Sequence, residues 1–194
     1  MTELPHRQVS DPGELRAFTH PLRIRLLEEL FADGPATASQ LAERVGESPA
    51  NCSWHLRLLH RYGYVEEAEG GTGRQRPWQV VLTSRSWNSG DADDPDLAMA
   101  GIEASRFLHR RELEELEAWY DRQRAEAAEW REAAFSHQTL AWLTTEELTE
   151  VCTTINELVM RHADRFRDPA ARPDGARLIR LMSWGIPARP PAEK

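Results

Sequence analysis

Amide, hydroxyl and guanidinium side chains are concentrated in one short stretch, SPANCSWHLRLLHR, at residues 48–61. Such groups exchange hydrogen bonds with base edges and phosphates. Asn51 can pair with an adenine edge, Arg57 with guanine or a phosphate, and Trp54 can pack on a thymine methyl group or on the sugar backbone. The predicted contact residues are Ser48, Asn51, Ser53, Trp54, Arg57 and Arg61. The stretch therefore predicts binding of a nucleic acid, provided that one helix presents these side chains together.

An ordinary solvated side chain is the alternative for each of these residues, and for Asn51 and Trp54 the two readings are equally good. His55 lies partly on the inner side of the same helix by its phase. We expect it to be a hydrogen-bonded interface histidine and not a base contact.

Capping residues divide the first half of the chain into four predicted helices. Asp11 precedes Pro12, Pro21 opens a helix that Gly34 ends, Thr37 and Gln40 form a capping box before Gly46, and Ser48 precedes a helix that Gly63 ends. The last helix has its apolar residues three and four positions apart, at Cys52, Leu56 and Leu59. These residues predict its buried face, which leaves the polar side chains listed above outside.

The sequence YVEEAEGGTGRQRPWQVVLT after this helix has apolar residues at every second position, Trp78, Val80 and Leu82, beyond a glycine-rich turn. This pattern predicts a β-hairpin with its turn at residues 70–76. Helix, turn, helix and hairpin in this order are typical of a winged helix-turn-helix. Arg74, Gln75 and Arg76 lie in the predicted wing and are expected at the minor groove or its phosphates. An ordinary hairpin tip remains the alternative.

The second half begins after a linker, TSRSWNSGDADDPD, and has a different organisation. One long amphipathic helix is predicted from about Pro95 to Ala134, followed by a helix that Thr144 caps. Residues 138–143 and 176–184 are interpreted as two paired strands, with a helix as the alternative for the second. The predicted fold class is mainly α with a β-hairpin wing, then a long dimerisation helix and a small α+β unit. The predicted domains are 1–90 and 91–194.

Aromatic side chains are frequent in the second half. Such rings line apolar ligand pockets as well as hydrophobic cores. Both readings stay open, and the residues that the first reading assigns to an effector pocket are Trp119, Tyr120, Trp130, Trp142 and Trp184.

The charge and the composition indicate which classes of function are compatible with the sequence. The net charge is −8, but residues 1–90 have 10 arginines and 11 acidic residues, whereas residues 91–194 have 14 basic and 21 acidic ones. The first half can therefore still approach DNA. No apolar run is long enough for a membrane span and no signal sequence is evident, so a cytoplasmic location is expected. No catalytic motif and no cofactor site is evident, so we do not expect an enzyme.

Metal binding is not expected either. The candidate ligands His109, His137, Cys152 and His162 do not occur at spacings that place two of them on one helix turn.

The motifs FTHPLRIRLLEEL and TASQLAERVGESPANCSWHLRLLHRYGYVEE resemble those of the ArsR-type bacterial transcription regulators over residues 11–83. The shared features are His20-Pro21-x-Arg23 at the start of the second helix and Ser53-x-His55-Leu56 in the fourth. The resemblance implies a homodimeric repressor that binds a two-fold symmetric operator and leaves it when an effector binds.

Two departures from this family matter. The third helix has no Cys or His for the metal box of metal-sensing members, and the second half is an addition, so sensing is expected there. A winged-helix protein-interaction module, a metal-responsive regulator, and a PadR-like or MarR-like regulator remain alternatives. A strand at 177–184 would argue against the PadR-like one.

Overall fold

The structure is a computed structural model that describes residues 4–69, 76–87 and 94–189. The chain divides into two compact units, one formed by Leu4–Arg110 and the other mainly by Arg111–Lys194. The first unit contains β1 (His6–Gln8), α1 (Pro12–Phe18), α2 (Pro21–Asp33), α3 (Ala38–Val45), α4 (Pro49–Arg61), β2 (Val65–Glu67), β3 (Trp78–Val80), β4 (Ser84–Ser86) and the start of α5 (Pro95–Arg122). The second contains the rest of α5, then α6 (Ala128–Ala133), α7 (Thr145–Met160) and α8 (Asp164–Arg167).

The four helices of the first half begin where their caps predict. The Asp11 carboxylate accepts a hydrogen bond from the backbone N–H of Gly13, and the Ser48 hydroxyl accepts one from that of Asn51. Thr37 and Gln40 form the reciprocal capping box. Gly46 ends α3 with a φ of 69°, in the left-handed region that favours glycine. These helix positions are confirmed.

The core of the first unit is built from leucines on the inner faces of these helices. Leu15, Leu26, Leu41, Leu56 and Leu59 are fully buried. Truncation of such a residue to alanine costs about 2–5 kcal/mol. The core therefore holds α3 and α4 in a fixed mutual orientation, which any reading of DNA by α4 requires.

Two short sheets complete this unit. β2 and β3 pair antiparallel with Val65 opposite Val80, which confirms the predicted hairpin strands, while the turn at 70–75 lies outside the described residues. The second sheet pairs β1 with β4 in parallel and was not predicted. It joins residues that are 78 positions apart along the chain, His6 and Ser84, so no local pattern indicates this pairing.

α5 packs into the core of the first unit through Leu97, Ala100 and Ala104. The indole of Trp87 donates to the carbonyl oxygen of Gly101 at 3.1 Å, and the helix continues through this glycine. Because of these contacts the compact unit reaches Arg110, about 20 residues beyond the predicted boundary at 90. The division into a DNA-binding and a sensing domain remains a prediction.

Two predictions for the second half were wrong. The long helix ends at Arg122 and not near Ala134, and Trp130 lies on the separate helix α6. Glu126 has extended backbone at this break, and its carboxylate accepts two hydrogen bonds from the guanidinium of Arg177, at 2.8 and 3.2 Å. A contact with a residue so far along the chain leaves no signal in the local sequence.

The second wrong prediction is the strand pair. Among the described residues of 111–189 there is no strand: 134–144 and 176–187 run without helix, turn or bend and pair with nothing. Alternating apolar residues favour an extended chain, but they do not specify its partner. The feature that would have argued against a PadR-like assignment is therefore not found there.

Candidate nucleic-acid interface

The N-terminal ends of α3 and α4 and the β2–β3 hairpin enclose one groove on the surface of the first unit. Its cavity has a volume of about 610 Å³. The lining residues are Thr37, Ala38, Ser39, Pro49, Ala50, Ser53, Arg57, Glu67, Arg76 and Trp78. Three of them, Ser53, Arg57 and Arg76, belong to the contact residues predicted from the sequence.

The exposed face of α4 presents Arg57 to this groove. Its guanidinium donates to the hydroxyl oxygen of Ser53 at 2.9 Å, which holds the long side chain along the helix. No ion pair of Arg57 with a carboxylate occurs among the described residues. Its positive charge is therefore available for a phosphate or for the acceptor edge of guanine.

Trp54 and Arg61 are exposed on the same helix, next to the groove and not in it. The indole of Trp54 is 58% exposed and meets the ring of His55 edge to face, with ring centroids 4.7 Å apart. An apolar ring held in this way can contact a sugar or a thymine methyl group. Because Trp54 lies outside the groove, such a contact requires that the DNA extend along α4 beyond the groove.

Two of the residues predicted to contact DNA already form hydrogen bonds within the protein. The Ser48 hydroxyl caps α4, and the side-chain amide of Asn51 donates to the Glu47 carboxylate at 3.1 Å. Asn51 can read a base only if it gives up that hydrogen bond. Ser48 instead fixes the start of the helix whose free backbone N–H groups favour an anion.

The wing places a salt bridge at the edge of the groove. The guanidinium of Arg76 donates to the Glu67 carboxylate at 2.7 Å, across the β2–β3 pair. Half of the positive charge predicted for the described part of the groove is thus compensated. The other predicted wing residues, Arg74 and Gln75, lie outside the described residues.

The sequence reasoning missed the contribution of α3. Thr37, Ala38 and Ser39 bring the N-terminus of that helix to the groove, beside the N-terminus of α4. Free N–H groups and the helix dipole favour phosphate at such ends. The capping box at Thr37 was the available signal, since it marks where the helix starts.

His55 is buried behind the groove, on the side that its helical phase predicted, but the expected hydrogen bond is not found: its Nδ1 has no partner among the described residues. It is 4% exposed, and its ring lies 4.6 Å from that of His20, the residue that caps α2. Burial lowers the pKa of both histidines, and the charge of Arg23 lowers each further. Because both rings are thus favoured in their neutral form, they pack as uncharged groups between α2 and α4.

A buried ion cluster supports the other end of α4. The Glu14 carboxylate is 1% exposed and lies 2.8 Å from the guanidinium of Arg7 and 3.4 Å from that of Arg85. Arg85 also donates to the carbonyl oxygen of Gly63, directly after α4, and stacks over the ring of Tyr64 at 4.3 Å. The cluster ties α1, both strands of the small parallel sheet, and the exit of α4 together.

The five aromatic residues assigned to an effector pocket are spread over the second unit. Trp119 and Trp130 are half-buried and lie under arginines, Arg122 at 5.6 Å and Arg177 at 5.0 Å from the ring centroids. The other three are exposed, at 44% for Tyr120, 101% for Trp142 and 67% for Trp184. No ring contact among these five occurs in the described chain, so the pocket remains a prediction.

The described residues contain no group of three or more His, Cys, Asp and Glu side chains that could hold a metal ion. Likewise, no helix in the described ranges is long and apolar enough to cross a membrane.

Comparison with known proteins finds a domain family that matches part of the chain. Residues 18–67, which run from the end of α1 to β2, match the family described as a helix-turn-helix domain. This segment contains α2, α3 and α4 and ends at the start of the hairpin. No curated protein sequence matches the chain significantly.

Several solved structures resemble parts of the chain. Reduced HlyU from Vibrio cholerae is 19% identical, over 46% of this chain and 80% of its own, with a TM-score of 0.31. M. tuberculosis Rv0081 is 24% identical, over 53% and 89% of the two chains, with a TM-score of 0.32. A single-site mutant of Lactococcus lactis ZitR is 13% identical, over 71% and 72%, with a TM-score of 0.29.

Proposed function

We propose that this chain is a DNA-binding transcription regulator of the ArsR-like winged type, and that it acts as a homodimeric repressor of a two-fold symmetric operator. The match of residues 18–67 to a helix-turn-helix domain supports DNA binding. The observation that carries this proposal is the groove between the two helix N-termini, with Arg57 as its uncompensated cation. A phosphate at the helix ends would set the register, and Arg57 would read the major groove.

A dimer is proposed because one protomer offers too few cations for strong binding. In the described part of the groove Arg76 is paired with Glu67, so Arg57 supplies most of the attraction. Two protomers related by a two-fold axis would double each contact and place their α4 helices about 34 Å apart, one turn of DNA. The operator would then be palindromic, and affinity would depend on dimerisation.

Release by an apolar or aromatic small molecule is the proposed regulation. It is supported by the aromatic residues of the second unit, whose exposed rings offer stacking surface to a ligand. A panel of apolar aromatic compounds should include one that weakens operator binding and changes tryptophan fluorescence at the same concentration. A panel without such a compound, tested on a confirmed operator, would count against this part of the proposal.

The first experiment captures genomic DNA fragments with the purified protein and sequences them. Arg57→Ala is the test variant, and Arg44→Ala is the matched control because Arg44 lies on α3 in an ion pair with Asp33 and outside the groove. We expect a palindromic site that the wild type and Arg44→Ala enrich and Arg57→Ala loses. The change should cost about 1–3 kcal/mol per half-site if Arg57 contacts guanine.

A winged-helix protein-interaction module is the second candidate. The pairing of Arg76 with Glu67 and of Asn51 with Glu47 favours it, because these contacts place acidic groups beside the groove. The same experiment separates the two: no enrichment of any sequence at low salt by a correctly folded dimer would replace the repressor proposal with this module.

A further inference from the structure

Large apolar side chains are exposed along much of the second unit. Fourteen large apolar side chains between Phe135 and Ile186 are 37–101% exposed in the described chain. At the area of ordinary apolar side chains this is on the order of 1,000 Å² of exposed apolar surface. A typical monomer has its largest apolar patch at about 300–600 Å², and a stable interface needs about 800 Å² from each partner. An exposed apolar surface of this size indicates an interaction site.

The first part of this face is one stripe of α7. Its residues repeat at spacings of three and four, and the exposed members are Val151, Ile155, Leu158 and Val159. Glu146, Glu150 and Glu157 lie on the opposite side of the helix by the same count. Glu147 lies one turn before Val151, but its carboxylate accepts a hydrogen bond from the backbone N–H of Thr144, so the four stripe residues themselves have no charged neighbour on their side of the helix.

The second part is the segment 176–187, whose position is fixed by contacts within the same chain. Arg177 is bonded to Glu126, Arg180 to Glu112, and the backbone at Gly185 lies against Leu148, where an added Cβ would come within 2.8 Å of Cδ1. With its arginines bonded to these glutamates, the segment exposes Leu178, Ile179, Leu181, Met182 and Trp184. It thus combines exposed apolar side chains with a backbone that pairs with no strand among the described residues.

We propose that a second copy of this chain covers this face, hereafter the α7 face, formed by the α7 stripe and residues 176–187. The inference rests on the proposed function, which needs a dimer, and adds where that dimer is held. Two identical segments related by a two-fold axis perpendicular to them run antiparallel, so 177–184 of both copies can pair as strands while their α7 stripes pack. The stripe offers no counter-charge to an acidic or basic partner. It is complementary to the identical apolar stripe of a second copy.

This arrangement explains why the sequence period of a strand occurs in a segment that pairs with no strand in the described part of a single chain. Its backbone N–H and C=O groups would be satisfied across the two-fold axis. The exposed ring of Trp184, which belongs to this face, would then lie at the interface between protomers.

The test uses the full chain without DNA, so that its result does not depend on operator binding. Hydrogen exchange is measured at protein concentrations on either side of the dimerisation midpoint found by analytical ultracentrifugation. We expect the amides of 177–184 to exchange slowly in the dimer and fast in the monomer. Fast exchange in both states, slow exchange in both, or a chain that remains monomeric would each overturn the proposal.

Two variants of α7 provide the matched comparison. Ile155→Glu adds a carboxylate to the stripe, and Thr153→Glu adds one on the far side of the same helix. Both side chains are exposed in one chain, so neither change should prevent folding. Ile155→Glu should weaken protection of 177–184 and shift its midpoint about 100-fold or more, because it buries an unpaired charge. Thr153→Glu should not.

Leu178→Glu gives an independent check if Ile155→Glu disturbs the helix. It should shift the midpoint in the same direction while leaving exchange of the α4 amides unchanged. Equal effects of Ile155→Glu and Thr153→Glu, or no effect of Leu178→Glu on protection, would refute a self-association through this face. Loss of operator enrichment without these changes would instead count against the repressor proposal alone.

Discussion

The carboxylate of Glu67 should weaken DNA binding, and its removal should strengthen the protein–DNA complex. In the structure its carboxylate lies 2.7 Å from the guanidinium of Arg76 at the edge of the groove, with side chains 44% and 69% exposed. Glu67→Gln removes one negative charge that faces the DNA and frees one positive charge. Because the pair is exposed, its loss should cost the folded protein no more than about 1 kcal/mol.

Two contributions determine how much the DNA-binding free energy should improve. A unit charge about 7 Å from a phosphate contributes about 0.6 kcal/mol in water. The freed Arg76 adds one phosphate contact, which steepens the dependence of log K on log salt by about 0.9 per protomer. For a dimer the two changes together predict about 1–2 kcal/mol tighter binding, or about five- to thirtyfold.

Fluorescence anisotropy with a labelled DNA duplex, measured from low to physiological salt, gives both the affinity and the salt slope. Glu66→Gln is the matched control, since Glu66 is the neighbouring residue on the other side of β2 and lines a different cavity. It changes the net charge equally. Equal gains for the two variants would show that only net charge matters, and no gain for Glu67→Gln would show that the hairpin does not face DNA.

Three further predictions concern the stability of the first unit, measured by urea unfolding and by hydrogen exchange of the α2 and α4 amides. Glu14→Gln should cost about 3 kcal/mol because it leaves Arg85 buried without its carboxylate partner; a loss below about 1 kcal/mol would contradict this role. Leu56→Ala should cost about 2–5 kcal/mol, since Leu56 is fully buried. The free energy of unfolding should fall as the pH drops below 6.5, because the lowered pKa values of His20 and His55 mean that the unfolded chain binds protons first. His55→Gln should reduce this slope, and an unchanged slope would assign it to other groups.

The local elements of the first half follow from the sequence. Caps at Asp11, Thr37 and Ser48, and the apolar spacing in α4, act over three or four residues, so the chain near each helix contains the information that starts and ends it. The hairpin strands were predicted for the same reason. So were the groove residues Ser53, Arg57 and Arg76, because their positions depend on helix phase and strand order alone.

Only the tertiary structure decided which charges remain available and which segments pair. The bond of Arg76 with Glu67 joins the two sides of the hairpin and compensates a charge of the groove. The bond of Arg177 with Glu126 joins residues 51 positions apart, just after the end of α5. The wrong strand pair at 138–143 and 176–184 has the same cause. A period of two predicts an extended chain but contains no information about its neighbour, because backbone hydrogen bonds between strands depend on where folding places them.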